Sequence, residues 1–166
     1  GMIDLNGDPH TSYMTLEESQ IFTDSIDMSF VGIGVQYFAD ENLITRVFKE
    51  SPAERAGLLA GDIMLKVDDL IIADMTEDQD LRDYILGERG TEVDITVNRL
   101  GETITFTVIR DSVNALTWGE MVDDNTAYLE IASFGSNLKY ATEIYLSHFK
   151  NEGAKNLIID FRDNGG

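Results

Sequence analysis

Cysteine is absent from the 166 residues. Its absence excludes disulfides, thiolate zinc sites and a cysteine nucleophile. Histidine is almost absent too, with only His10 and His148, and no His-Glu-x-x-His spacing occurs. The sequence therefore offers no zinc-hydrolase site. Asp4-x-Asn6-x-Asp8 opens like a calcium loop, but Pro9 stands where that loop needs Gly and Thr15 where it needs Glu. The Tyr and Met residues are too scattered to form a cofactor box, so neither metal nor cofactor is expected. Basic residues are scarce, 12 against 31 acidic ones, for a formal charge of -19. Such a surface repels phosphate backbones and anionic lipid heads, which argues against nucleic acid or a membrane surface as partner. There is no run of 18 apolar residues to span a bilayer and no secretory leader pattern.

What is present is a hydrophobic fraction of 43%, enough for a real core. Residues 1–29 read as a lead-in, with a turn at Asp8-Pro9-His10 and a short helix start at Thr15. From Phe30 the pattern changes. A glycine-laced apolar run, Phe30-Val31-Gly32-Ile33-Gly34-Val35, leads into a strand through Phe38, and a second strand covers Leu43–Val47. Ser51-Pro52-Ala53-Glu54 has the capping Ser, first-turn Pro and N3 Glu of a helix start, and Gly57 ends that helix. A strand follows at Ile63–Val67. Thr76 with Gln79 forms a second capping box, predicting a helix over 76–86 whose inner face holds Leu81, Tyr84 and Ile85. Val93, Ile95 and Val97 alternate in one strand, and Ile104, Phe106 and Val108 in the next. About five strands and two helices make residues 30–113 a small α+β module, a β-barrel or sheet.

Residues 114–124 read as a polar linker. Over 125–166 the pattern is strand (Ala127–Ala132), helix (Leu138, Ala141, Ile144, Tyr145 and Phe149 on one stripe) and strand (Leu157–Phe161). The last strand is a continuous apolar run, as expected of one buried on both faces. One βαβ unit is only part of an α/β sheet, so this segment is expected to lean on the preceding module or on another copy of the chain. Ser133, Ser136 and Lys139 sit at the strand-to-helix junction, where helix capping is a sufficient role for the serines.

Two features carry chemistry. Glycines just before a strand let successive N–H groups point into one hollow, a nest that suits a carboxylate. In Gly32-Ile33-Gly34-Val35 that hollow opens onto a strand (Val35, Gln36, Tyr37) with an edge free to pair with an extended peptide, and helix 76–86 forms the facing wall with Leu81 and Ile85. The pattern predicts strand addition with capture of a terminal carboxylate, Leu81 lining the pocket for the last side chain. Second, Gly165-Gly166 follows a strand at its carboxyl end, where open α/β sheets place ligands. N–H groups there can stabilise an oxyanion.

These pieces carry a resemblance. Gly32-Ile33-Gly34-Val35, Ser51-Pro52-Ala53 with Ala56-Gly57-Leu58, Gly61-Asp62-Ile63 and Gly90-Thr91-Glu92-Val93 resemble a PDZ domain of the bacterial type. The departure is Asp68-Asp69, where that family usually has a glycine. Asp8–Tyr13 and Asp160-Phe161-Arg162-Asp163-Asn164-Gly165-Gly166 resemble segments that flank the PDZ domain in carboxy-terminal processing peptidases. That resemblance implies a partial α/β protease core after the PDZ domain, a serine nucleophile with a lysine base lying beyond Gly166, and a parent protein working outside the cytoplasm. It also implies that Gly165 or Gly166 donates to the oxyanion, and that the partner is the C-terminus of a protein substrate. A stand-alone peptide-binding adaptor and a catalytically dead relative are the alternatives.

Overall fold

The computed structural model describes residues 29–165. The lead-in turn at Asp8–His10, the helix start at Thr15 and Gly166 lie outside the described residues. The elements are mostly strands. β1 (Ser29–Gly32) pairs antiparallel with β8 (Asp111–Asn114). The larger sheet runs β2 (Val35–Phe38), β3 (Leu43–Val47), β4 (Ile63–Val67), β6 (Glu92–Arg99), β7 (Glu102–Ile109), with β5 (Leu70–Ile71) also on β4. The third sheet orders β11 (Asn156–Asp160), β10 (Thr126–Ile131) and β9 (Thr117–Met121). The helices are α1 (Pro52–Ala56), α2 (Arg82–Ile85) and α3 (Leu138–Asn151).

The α+β mix holds, but the larger sheet is open: β2 and β7 lie at its two ends and do not pair with each other, so no barrel closes. Its core is built from the alternating residues of the strands. Val93, Ile95 and Val97 of β6 are buried beside Ile44, Met64 and Val67 of β3 and β4, with Ile33, Leu58, Leu81 and Ile85 closing the cluster. α1 forms where its signals place it. Ser51 Oγ accepts the Glu54 N–H at 3.1 Å, and Gly57 takes the left-handed φ of 96° that ends the helix.

Three sequence expectations are corrected. The helix over 76–86 is reduced to α2, a single turn. Thr76 Oγ1 donates to Asp78 (2.6 Å), and Asp80 Oδ1 accepts the Arg82 N–H (2.8 Å). An aspartate that bonds the nearby backbone, as Asp80 does, offers it an alternative to continuous helix. The linker at 114–124 holds a strand, β9, paired antiparallel with β10. Its polar residues face solvent at Asp123 and Asp124, while Thr117 and Gly119 are buried. The run Leu157–Phe161 forms a strand, but Leu157, Ile158, Ile159 and Phe161 are all 42–50% exposed, so it is not buried on both faces among the described residues.

The βαβ unit forms as read: β10 and β11 are parallel and α3 connects them. Tyr145 and Phe149 of α3 are buried on the sheet with Ala127, Leu129 and Ile131. Each such aromatic contributes roughly 1.5–3 kcal/mol by burial. Asn137 precedes α3 without a side-chain cap bond, and Lys139 faces Glu143 at 3.9 Å.

Candidate functional site

The loop between β1 and β2 is held from behind. Gly34 has φ +83°, and a Cβ there would stand 2.4 Å from Ser51 Cβ, so only glycine fits. The carbonyls of Ile33 and Gly34 accept from the N–H groups of Ala53 (2.7 Å) and Phe48 (3.1 Å). Among the described residues, the N–H groups of Ile33 and Gly34 themselves meet no acceptor. β2 is the end strand of its sheet, so its second edge is unpaired among the described residues. Free donors at the loop and an open edge beside them are what a terminal carboxylate on an extended chain requires.

The facing wall is α2, and its position depends on Arg110. This guanidinium is 8% exposed and has no carboxylate partner among the described residues. It donates instead to the carbonyls of Tyr84 (2.7 Å), Ile85 (2.9 Å) and Glu92 (2.9 Å). Those of Tyr84 and Ile85 are the last carbonyls of the helix, which a cation satisfies well. Gly87 allows the approach, since a Cβ there would come within 2.9 Å of Arg110 Nε.

A cavity of about 620 Å³ lies between the loop, β2 and α2. Ile33, Gly34, Val35, Gln36, Tyr37 and Ile85 line it, as do Phe30, Phe48 and Leu86. Leu81 does not. It is buried and lines an adjoining cavity with Tyr37, while Ile85 and Leu86 face this one. Gly32 stands behind the loop in β1, where a Cβ would meet Leu86 at 3.0 Å.

The third wall comes from the C-terminal segment and has no sequence signal. Arg46 of β3 forms a two-pronged ion pair with Glu130 of β10 (3.2 and 2.9 Å), and its guanidinium lies 4.2 Å from the ring centre of Trp118. Arg46, Trp118, Glu130 and Ala132 all face the cavity. Partners 84 residues apart leave no local pattern to read. A second tie joins the same two parts: Tyr145 of α3 accepts the Lys49 N–H (3.2 Å), and burial pushes its hydroxyl pKa up to about 12.

At the carboxyl end of β11, Asp160 accepts from Arg162 and from the Tyr128 hydroxyl (each 2.6 Å). Those two hydrogen bonds, with Arg162 the larger influence, hold its carboxyl well below the usual range. Asn164 donates to the Ile131 carbonyl (2.9 Å). Gly165, exposed, borders an opening with Phe134, Phe161 and Asn164. This opening shares no lining residue with the cavity between the loop, β2 and α2. No group of three or more potential metal ligands occurs among the described residues.

Residues 43–99 match the family model for the PDZ domain, and residues 125–166 that for peptidase family S41. The chain is 33% identical to the carboxy-terminal processing protease CtpA of Bacillus subtilis over 170 residues, covering all of this chain and 36% of that protein. It is 31% identical to a carboxy-terminal-processing protease of Bartonella bacilliformis, covering all of this chain and 40% of the relative. It thus spans a little over a third of the length of these relatives. The solved photosystem II D1 C-terminal processing protease shares the fold over 96% of this chain and 46% of its own, with a TM-score of 0.52 at 22% identity.

Proposed function

We propose, for a chain that carries a PDZ domain joined to the opening of a family S41 peptidase core and is similar throughout to carboxy-terminal processing proteases, that it is the part that recognises the substrate tail. The tail's free carboxylate is taken by the N–H groups of the Ile33–Val35 loop, and its backbone adds to the open edge of β2. Its last side chain enters the cavity bounded by Ile33, Phe48, Ile85 and Leu86. The observation that carries this reading is the coincidence of two unused loop donors, an unpaired strand edge and an apolar cavity in one place.

Catalysis belongs to a serine nucleophile and a lysine base, as the resemblance implies. No serine and lysine of these 166 residues match that pair, so this chain supplies recognition and an oxyanion donor at Gly165 or Gly166. It is expected to hydrolyse no unfolded protein, and turnover lost on mutating one of its own serines would contradict that.

The binding test is calorimetric titration with peptides ending in an apolar residue. The free acid should bind at roughly micromolar strength. Its amide should bind more weakly by about 1.5–3 kcal/mol, the value of a hydrogen bond to a charged group. Equal affinity for acid and amide would rule out carboxylate capture.

A further inference from the structure

The groove does not end at the apolar cavity. A second cavity of about 540 Å³ continues it past Tyr37 and Ala39, and Asp80 borders both. Its outer wall is the loop before α2, with Glu77, Asp78 and Asp80 exposed on it. Asp40 and Glu41, also exposed, follow β2 at the same end. None of these five carboxylates forms an ion pair with a described residue. Among the described residues, no lysine or arginine borders this second cavity, whereas the apolar cavity is lined by Arg82 and Arg46, the latter paired with Glu130, as well as by Asp80. The charge of Asp80 reaches into the groove. The Tyr37 hydroxyl is raised first by burial and then by Asp80, with Arg82 opposing.

A peptide on the β2 edge with its end at the Ile33–Val35 loop runs antiparallel to β2. At about 3.3 Å per residue, its third to fifth residues from the end lie beside Tyr37 and Ala39. From this polarity we infer that the groove selects C-terminal tails with an apolar last residue and lysine or arginine three to five positions upstream. The inference rests on the groove reading above and adds the substrate class to it. The site is the cavity and the strand edge; the carboxylates set which tails fit. Exposed charges act within about 10 Å at 0.1 M salt, a range that covers this half of the groove.

The test uses the whole chain and ten-residue peptides with one common apolar end. Positions three to five hold lysine, alanine or glutamate. At low salt, lysine peptides should bind about fivefold tighter than alanine ones, the effect of one or two exposed charge pairs, and glutamate peptides weaker than both. The spread should shrink in 0.5 M salt. A Glu77→Gln, Asp78→Asn, Asp80→Asn variant, checked for an unchanged melting curve, should lose the ranking. A variant neutralised elsewhere (Glu102→Gln, Glu120→Gln, Glu152→Gln) should keep it. If the alanine peptide binds and lysine adds nothing, the inference is overturned while the groove reading stands. If the distant variant loses the ranking equally, overall charge is responsible and the inference is again overturned. If no peptide binds, both fall.

Discussion

Asp62 shows how one side chain ties a turn to a sheet. It is 1% exposed, and Arg99 reaches it with two hydrogen bonds (2.6 and 2.7 Å) while also donating to the Gly57 carbonyl. Burial pushes the Asp62 carboxyl up, but the Arg99 bonds and the Leu59 N–H outweigh it and hold the pKa below the ordinary value. A depressed pKa stabilises the fold above the unfolded value, and that stability is lost as pH falls through the folded one. Arg99→Met leaves the buried carboxylate unpaired, and should cost about 3–5 kcal/mol at pH 7. Burial then dominates and the carboxyl pKa rises, so acidification relieves the variant. Urea unfolding at pH 7 and pH 4.5 should show the gap between variant and parent narrowing at the lower pH. A gap that stays constant would mean that Asp62 is not the responsible group. Neither this pair nor the Arg110 anchor was legible in the sequence, since arginines that reach carbonyls or a distant turn leave no spacing. The Gly34 requirement was legible, because a glycine before a strand announces its own geometry. The departure at Asp68 also finds an explanation: it adopts φ 50° and accepts the Asp94 N–H at 2.8 Å, doing with a side-chain bond what a glycine does by lacking Cβ.

Among the elements, strands were easier to read than helices. Alternation placed β6 and β7 to within a residue or two, because a strand with one buried face must alternate. The capping box at Thr76 misled: the Gln79 side chain does accept the Thr76 N–H at 2.9 Å, yet the turn does not propagate. A cap closes one turn, and the aspartates that follow favour a second start at Arg82. β9 was missed because its fully buried positions are Thr117 and Gly119, while its large apolar residues Trp118 and Met121 are only half-buried and do not alternate as a strand pattern. Gly119 has a steric reason. A Cβ there would stand 2.5 Å from the Tyr128 carbonyl and 2.7 Å from the Phe149 ring, so α3 packs directly on bare backbone. Gly119→Ala should push α3 off the sheet, with a loss of about 1–3 kcal/mol as for overpacking elsewhere. Thermal melting checks this, with an unchanged midpoint as the contrary result.

At the scale of the whole molecule, the two parts share one wall of the groove. The sequence placed the PDZ-like module and the βαβ segment in order, and the expectation that the second leans on the first is met by Arg46–Glu130 and Lys49–Tyr145. What it could not show is that Trp118, Glu130 and Ala132 would face the cavity beside β2, since that depends on how two sheets meet. The central claim is that a substrate tail ends at the Ile33–Val35 loop. Backbone amide NMR of the chain with a free-acid peptide and with its amide tests it most directly. The account predicts large shifts of the Ile33 and Gly34 N–H signals with the acid, much reduced with the amide, and smaller shifts along Val35–Phe38 in both. Equal shifts at Ile33 and Gly34 with acid and amide, or shifts confined to the Phe134–Gly165 surface, would contradict it.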